Sequence, residues 1–325
     1  MKLATIKNKS LDGQLVVVSK DLSCYLDASH IAPNLMAAMD NWNAVFPALE
    51  ALHQTLRDDP DQGQPFNTQE AMAPLPRCFQ WCDASAFLNH GRLMEQAYNL
   101  PPIPNADSIP LVYQGASDNF LGCCDAVPLP DESMGIDFEG EFGVITGPVS
   151  MGANAQEAQE AIRLIVQIND WSLRNFGPRE MATGFGFIQA KPSCSFAPVA
   201  ITPDELGEAW NNGRIEMNLN IHWNGEWFGS PHGREMNFSF GEIIAHIAKT
   251  RNLSAGTIVG SGTVSNVERN AGSACISERR VVELIDQGKS ITDFMRFGDR
   301  IKMEAYCTLN NQAPFGIIDQ EVIKG

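Results

Sequence analysis

Arg214-Ile215-Glu216-Met217-Asn218-Leu219-Asn220-Ile221-His222-Trp223 alternates apolar and polar residues from end to end. Successive residues of a strand point to opposite faces, so Ile215, Met217, Leu219, Ile221 and Trp223 share one face. Asn224-Gly225 follows, a strong signal for a two-residue hairpin, and then Trp227 and Phe228. The stretch reads as strand, turn and returning strand. Outward from it the same period recurs. Arg300 to Leu309 alternates, Asp137 to Thr146 is strand-like, and Leu15 to Val18 reads as a strand after an Asp12-Gly13 turn. Helical patterns are fewer. Pro33 to Leu56 places Leu35, Met39, Trp42 and Phe46 at helical spacing. Asn154 with Glu157 forms a capping box for a helix expected to run to about Ile168, and Ser239 with Glu242 caps another ending near Lys249. Strands and helices do not alternate regularly. The expectation is an α+β fold, mainly β, rather than a doubly wound sheet.

Composition narrows the class. The 325 residues are 44% hydrophobic and 19% charged, an ordinary globular balance. The net charge of -16 and the lack of a basic run argue against nucleic acid, which binds clustered Lys and Arg. Met1 to Ser10 lacks the apolar stretch of a signal peptide, and no run is long enough to span a membrane. The eight cysteines show no CxxC and no zinc-type spacing, so they read as reduced thiols and the cytoplasm is the expected compartment. Residues 1 to 72 read as a small front unit with a linker, because Asp58 to Pro65 is rich in breakers and polar residues. Residues 73 to 325 form the main unit.

Four segments carry chemistry. In Phe138-Glu139-Gly140-Glu141-Phe142 the two carboxylates lie two apart and share a strand face. Such a pair is unfavourable unless a cation or a proton lies between, although a solvent-facing strand would carry the same two acids. Hard divalent cations take oxygen ligands in such arrangements. Asn169-Asp170-Trp171-Ser172-Leu173-Arg174 closes the stretch containing Ile162, Ile165 and Ile168. Read as a helix end, it puts Asp170 against the macrodipole, which suggests a site; an exposed turn Asp is the alternative. In Trp81 to His90, a helix would place Asp83 and His90 on one face, one for metal and one for a proton, although a lone His is commonly structural. Gly260-Ser261-Gly262-Thr263-Val264-Ser265 is a small-residue loop suited to an anionic ligand, or a simple turn. It lacks the Lys of a P-loop.

Together these segments resemble the fumarylacetoacetate hydrolase family. The matching pieces follow in order: Asp83 with His90, Glu139-x-Glu141, Asn169 to Arg174, Lys191 in Gln189-Ala190-Lys191-Pro192, and Gly262 to Ser265. Phe297-Gly298-Asp299-Arg300-Ile301 and Phe315-Gly316 complete the set. The resemblance covers roughly residues 73 to 325. The front unit is similar to the SH3-like N-terminal domain of the longer members.

The resemblance implies a mixed β-sandwich roll and a homodimer. It implies Mg²⁺ or Ca²⁺, with Mn²⁺ as an alternative, held by Asp83, Glu139, Glu141 and Asp170. His90 would be the general base, Arg174 and Lys191 would stabilise negative charge and grip substrate, and Thr263 would hold a substrate carboxylate. A Glu that orients the His is expected beyond the Thr loop. A gapless count from Gly272-Ser273 reaches Ile276, and Glu278, two residues on, takes the role. Shorter members carry a Glu three residues after the His, where this chain has Leu93. A family Gln three residues after the Arg is replaced by Gly177. The implied reaction is C–C bond hydrolysis in a 1,3-diketo acid, with fumarylacetoacetate, an intermediate of aromatic amino-acid degradation, as first substrate. Acylpyruvate hydrolysis and hydration or decarboxylation of a 2-keto acid would use the same site. A non-catalytic carboxylate-binding protein is the alternative from another class.

Overall fold

A computed structural model describes all residues, 1–325. The chain begins with β1 (Lys2–Ile6), β2 (Gln14–Val18), β3 (Cys24–Asp27), α1 (Leu35–Asp40), α2 (Trp42–Asp58) and β4 (Gln64–Pro65). There follow β5 (Trp81–Ala84), α3 (Leu88–Tyr98), β6 (Val112–Gly115), β7 (Val127–Leu129), β8 (Ile136–Asp137), β9 (Gly140–Thr146), α4 (Ala155–Glu160), β10 (Ile162–Asn169) and β11 (Ser172–Leu173). Next come α5 (Gly177–Thr183), β12 (Ser195–Phe196), β13 (Ala200–Ile201), β14 (Trp210–Asn211), β15 (Arg214–Ile215), β16 (Asn218–Trp223) and β17 (Glu226–Gly229). The chain ends with α6 (Phe240–Ile247), β18 (Thr257–Gly260), α7 (Ile276–Gln287), β19 (Arg300–Tyr306) and β20 (Ile317–Lys324).

Two sheets carry the fold. The larger has 11 strands in the order β4-β3-β2-β1-β13-β10-β9-β18-β5-β6, with β12 also on β10. The smaller runs β17-β16-β19-β20-β7. Period-2 alternation divides the core. Cys82, Phe142, Val144, Ile165 and Val259 point toward the smaller sheet and pack with Leu219, Ile221, Met303 and Ile318. Trp81, Ile145, Val166, Ile168 and Ile258 point the other way and pack with Leu3, Leu15, Val17, Leu35 and Leu49 of the front unit. Buried Gln167 bridges the sheets, donating to Met303 O at 3.1 Å and accepting from Ala305 N at 2.7 Å. The first 72 residues therefore share both a sheet and a core with the rest: β1 pairs antiparallel with β13, Lys2 opposite Ile201 and Leu3 opposite Ala200.

The alternating stretch from Arg214 is not one strand: Arg214–Ile215 pairs with β14 in a separate two-stranded sheet, and only Asn218–Trp223 forms the β16 arm of the hairpin with β17. Asn224 and Gly225 both adopt positive φ, as the tight turn between twisted strands requires. Several expectations need correction. The helix begun by the Asn154–Glu157 box stops at Glu160, and Ile162–Asn169 is a strand. That segment is buried on both faces between β9 and the β12/β13 pair, which a continuous apolar run permits and a one-sided helix does not. Trp81 to His90 is not one helix: Trp81–Ala84 is wedged between β18 and β6, and helix begins only at Leu88. Glu278 lies on α7, not on a strand. Phe138 and Glu139 fall between β8 and β9. The Pro33–Leu56 helix is broken at Asn41 into α1 and α2. Asp58 to Pro65 is exposed, as a linker would be, but its end pairs with β3 as β4. No helix is long and apolar enough to cross a membrane.

Candidate metal centre

Each acid of the centre extends an apolar strand face by one residue pair. Asp83 follows Trp81 on β5, and Asp170 follows Ile168 just beyond β10. Glu141 precedes Gly143 and Ile145 on β9, and Glu139 precedes Glu141. The strands lie side by side in the order β10-β9-β18-β5, so the acids converge where the apolar rows end. All four are buried, and one carboxylate oxygen from each lies within 4.8 Å of the others. Gly260 stands opposite Asp83 in the parallel β18–β5 pair. A Cβ there would sit 2.3 Å from Asp83 Oδ1, so glycine leaves the carboxylate its space. Gly262 adopts φ 77° and gives its N–H to Asp83 Oδ1 at 3.1 Å.

The surroundings supply two cations and a set of neutral donors. Lys191 Nζ lies 2.6 Å from both Glu139 Oε2 and Asp170 Oδ2. Arg174 Nε donates to Asp137 Oδ2 at 2.7 Å. Its Nη2 lies 2.7 Å from Glu139 Oε1, close enough for attraction between the charges, but its N–H bonds do not point along that line and no hydrogen bond forms. Tyr113 OH donates to Asp170 Oδ2 at 2.7 Å, and Cys194 Sγ to Asp170 Oδ1 at 2.8 Å. Asn169 Oδ1 accepts from Glu139 N at 3.0 Å, and Glu139 O accepts from Asp170 N at 2.9 Å, which fixes the two acid-bearing turns together.

Glu141 is different. Both of its carboxylate oxygens are buried and neither has a hydrogen-bond partner. Burial, with Asp83 and Asp170 adding to it, pushes its carboxyl well above the ordinary range. Asp83 is raised too, by burial first and Asp170 second. Like charges this close and this deeply buried are unfavourable until a proton or a cation relieves them. Burial also opposes ionisation of Glu139, but Lys191 and Arg174 outweigh it and hold that carboxyl well below the usual range. One ammonium and one guanidinium, the latter shared with Asp137, do not neutralise four carboxylates. An orphaned carboxylate in an all-oxygen donor set fits a hard divalent cation.

The second constellation stands on helices. His90 lies in the first turn of α3 and Glu278 in the first turn of α7, with His90 Nδ1 2.9 Å from Glu278 Oε2. The His90 side chain is 17% exposed and that of Glu278 2%. Asp137 links this pair to the acids. Its carboxylate accepts from Ile276 N at 2.7 Å and Ser277 N at 2.8 Å, capping α7, while also holding Arg174. Thr263 is buried in the loop after β18, beside the Gly262 that contacts Asp83, and makes no side-chain hydrogen bond. Gly177, where the family Gln was expected, opens α5 with no side chain to offer. The structure thus brings Asp83, Glu139, Glu141, Asp170, Lys191 and Arg174 together, and His90 with Glu278. Sequence reasoning missed Asp137, Tyr113 and Cys194. Asp137 could have been found, since it continues the two-residue spacing of Glu139 and Glu141; nothing in the sequence marks Tyr113 or Cys194.

Fold and site together define a class: a mixed-sheet sandwich with a buried four-carboxylate centre at the ends of its strands and a histidine–carboxylate pair on two helices. Residues 80–323 match the model of the fumarylacetoacetate (FAA) hydrolase C-terminal region, and residues 1–77 that of fumarylacetoacetase N-terminal domain 2. The chain belongs to the fumarylacetoacetate hydrolase family, whose members include hydrolases, tautomerases and isomerases. A 2,4-didehydro-3-deoxy-L-rhamnonate hydrolase of Sphingomonas sp. (strain SKA58) is 26% identical over 208 residues, covering 62% of this chain and 70% of that protein. An oxaloacetate tautomerase of Bacillus subtilis is 26% identical over 247 residues, covering 74% of this chain and 71% of that protein. Several other curated relatives are matched over about half their length. The crystal structure of maleylpyruvate hydrolase from Sphingobium sp. SYK-6, in complex with manganese(II) and pyruvate, shares the fold, with a TM-score of 0.65, 14% identity and full coverage of both chains.

Proposed function

We propose that this protein hydrolyses a C–C bond of a diketo acid with the help of a divalent cation, and that fumarylacetoacetate is the first substrate to test. The observation that carries the reading is the orphaned, buried Glu141 carboxylate beside Asp83, Glu139 and Asp170. Those four residues would hold Mg²⁺, Ca²⁺ or Mn²⁺. When bound, the cation supplies Lewis-acid polarisation of a carbonyl and offsets the charge of an acidic substrate.

The chain's own groups supply the rest. Glu278 accepts the Nδ1 proton of His90, which fixes the tautomer and leaves Nε2 with its lone pair. His90 then takes a proton from water, and Glu278 stabilises the resulting imidazolium. The hydroxide bonds to a carbonyl carbon, the adjoining C–C bond breaks and its electron pair leaves as an enolate, which the imidazolium proton then neutralises; an enolate is a poor leaving group until its charge is met. An ammonium has three donors, and Lys191 spends two on Glu139 and Asp170, so its third is free for that oxygen. Arg174 offsets the charge of Glu139 and would grip a substrate carboxylate. Thr263 offers its unengaged hydroxyl to a second carboxylate. The protein would act as a homodimer in the cytoplasm, and the exposed Met181, Phe185 and Ile188 give it apolar surface for a second copy. It would need no nucleic acid or membrane.

The test is turnover of fumarylacetoacetate, an acylpyruvate and oxaloacetate by metal-loaded protein. Cleavage of a diketo acid supports the reading, and loss of all cleavage in the presence of cation refutes it. A second reading, keto–enol tautomerisation of a 2-keto acid, draws support from the Bacillus subtilis tautomerase, which matches 74% of this chain. It would need the same cation and base but no attacking water, so product without C–C cleavage would favour it.

A further inference from the structure

Two adjacent cysteines, Cys123 and Cys124, make no hydrogen bond to any of the four acids. The loop from Leu121 to Asp125 is clamped on three sides. Leu121 N donates to Cys194 O at 2.9 Å and Leu121 O accepts from Phe196 N at 3.1 Å, beside β12. Cys123 O accepts from Asp319 N of β20 at 2.8 Å. Gln320 Nε2 donates to Gly122 O and Asp125 O, each at 3.0 Å. With its backbone so fixed, the loop holds the sulfurs of Cys123 and Cys124 at 3.6 Å. Cys123 is buried, while Cys124 is part-exposed. Thr68 of the front unit faces both: its carbonyl oxygen is 3.5 Å from Cys123 Sγ and its hydroxyl 3.9 Å from Cys124 Sγ.

We propose that Cys123 and Cys124 form a dithiol site that small disulfides of the glutathione class oxidise to a vicinal disulfide. The Cys124 thiolate attacks one sulfur of the small disulfide. That S–S bond breaks, one small thiolate leaves, and a mixed disulfide forms on Cys124. Cys123 gives up its proton and attacks the Cys124 sulfur, and the bond to the second small thiol breaks. Two electrons pass from the cysteine pair to the reagent, and the two cysteine protons end on the two released thiols.

The local chemistry favours Cys124 as the attacking group. The Cys123 S–H can donate to it, which lowers the Cys124 thiol below its usual range; burial opposes this, and the Thr68 hydroxyl works with Cys123 to lower it. The Asp319 and Asp125 carboxylates work against the thiolate, while Arg300 on β19 feels its charge favourably. Other cysteines are quieter. Burial pushes Cys78 up to about 12 and Cys82 up to about 11, and it raises Cys194 and Cys275 as well. The raised Cys123 owes most to its bond to Cys124, so it loses that restraint once Cys124 is capped.

The experiment treats the full chain with oxidised glutathione and weighs its peptides. The Cys123–Cys124 peptide should lose the mass of two hydrogens and regain it with dithiothreitol. In kinetics with a chromogenic aromatic disulfide, one thiol should react fast. Cys124→Ser should slow that phase by roughly tenfold or more, because the thiolate is the nucleophile. Cys123→Ser should keep the fast phase and, with oxidised glutathione, stop at a stable mixed disulfide. A wild-type peptide that stays unmodified or keeps glutathione overturns the proposal, as does a fast phase that survives Cys124→Ser. If either variant fails to fold, the wild-type peptide mass alone decides.

Discussion

The acid cluster and the His90–Glu278 pair are built on different principles. The four acids stand at strand ends in a sheet hydrogen-bonded on both sides, and their charges are only partly met. The pair stands on the first turns of two helices, reaches solvent through His90, and meets its needs internally with one 2.9 Å contact. A rigid frame can hold like charges in reserve for a cation, because repulsion cannot easily spread the strands. A helix pair cannot store repulsion so well, but it can present a base to water. On this contrast, perturbing the cluster should change metal binding, and perturbing the pair should change turnover alone.

Chelation should give the largest effect. Metal-stripped protein should lose its turnover, and Mg²⁺, Ca²⁺ or Mn²⁺ should restore it; full activity after stripping would erase the distinction between the regions. Next comes His90→Ala, expected to lower turnover by about 100-fold or more while isothermal titration shows the cation still binding. If metal affinity fell with it, the two regions would be one unit.

Glu141→Gln sharpens the contrast from the other side. Asp83 and Glu141 are raised, so the folded metal-free protein holds protons that the unfolded chain releases. Their contribution to stability is therefore present below the ordinary carboxylate range and lost as pH rises through the raised values. Metal-free melting temperature should fall over that interval, a divalent cation should counter the fall, and Glu141→Gln should flatten it. Cation affinity should weaken on acidification, since binding must displace those protons. A melting profile unaffected by the substitution would show that Glu141 is not under strain.

Glu278→Gln should lower kcat by about tenfold with little change in KM, as expected for a group that acts through the base. With His90→Ala already in place, the second change should cost almost nothing; additive losses would separate the two residues. Tyr113→Phe should be mildest, a few-fold loss of cation affinity, because Lys191 and Cys194 still hold the Asp170 carboxylate once the Tyr113 hydrogen bond is gone.

The sequence exposed the cluster better than its scaffolding. Glu139 and Glu141 are legible because strand periodicity is local and two residues suffice to show it. The β10 strand was not, because Ile162, Ile165 and Ile168 fall at helical spacing while both faces of the segment are buried. Only the neighbouring strands decide between the two readings. The count through Gly272-Ser273 ended at Ile276, and the further step of two residues to Glu278 assumed a strand where the chain forms helix α7. Distance from His90 depends on α7 docking beside α3, and Asp137 fixes the start of α7 from across the sheet. Tyr113 was invisible for the same reason: its place opposite Asp83 comes from β6 pairing with β5, a long-range event.

The seam between β1 and β13 has a consequence for assembly. Without residues 1–72, β13 would lose its β1 partner and become a bare rim of unpaired N–H and C=O groups. Leu164, Val166 and Ile168 would lie uncovered beside it. Exposed rims of this kind template association with other chains. The front strands cover that rim in the full chain, so a truncated chain should show concentration-dependent light scattering where the full chain shows none.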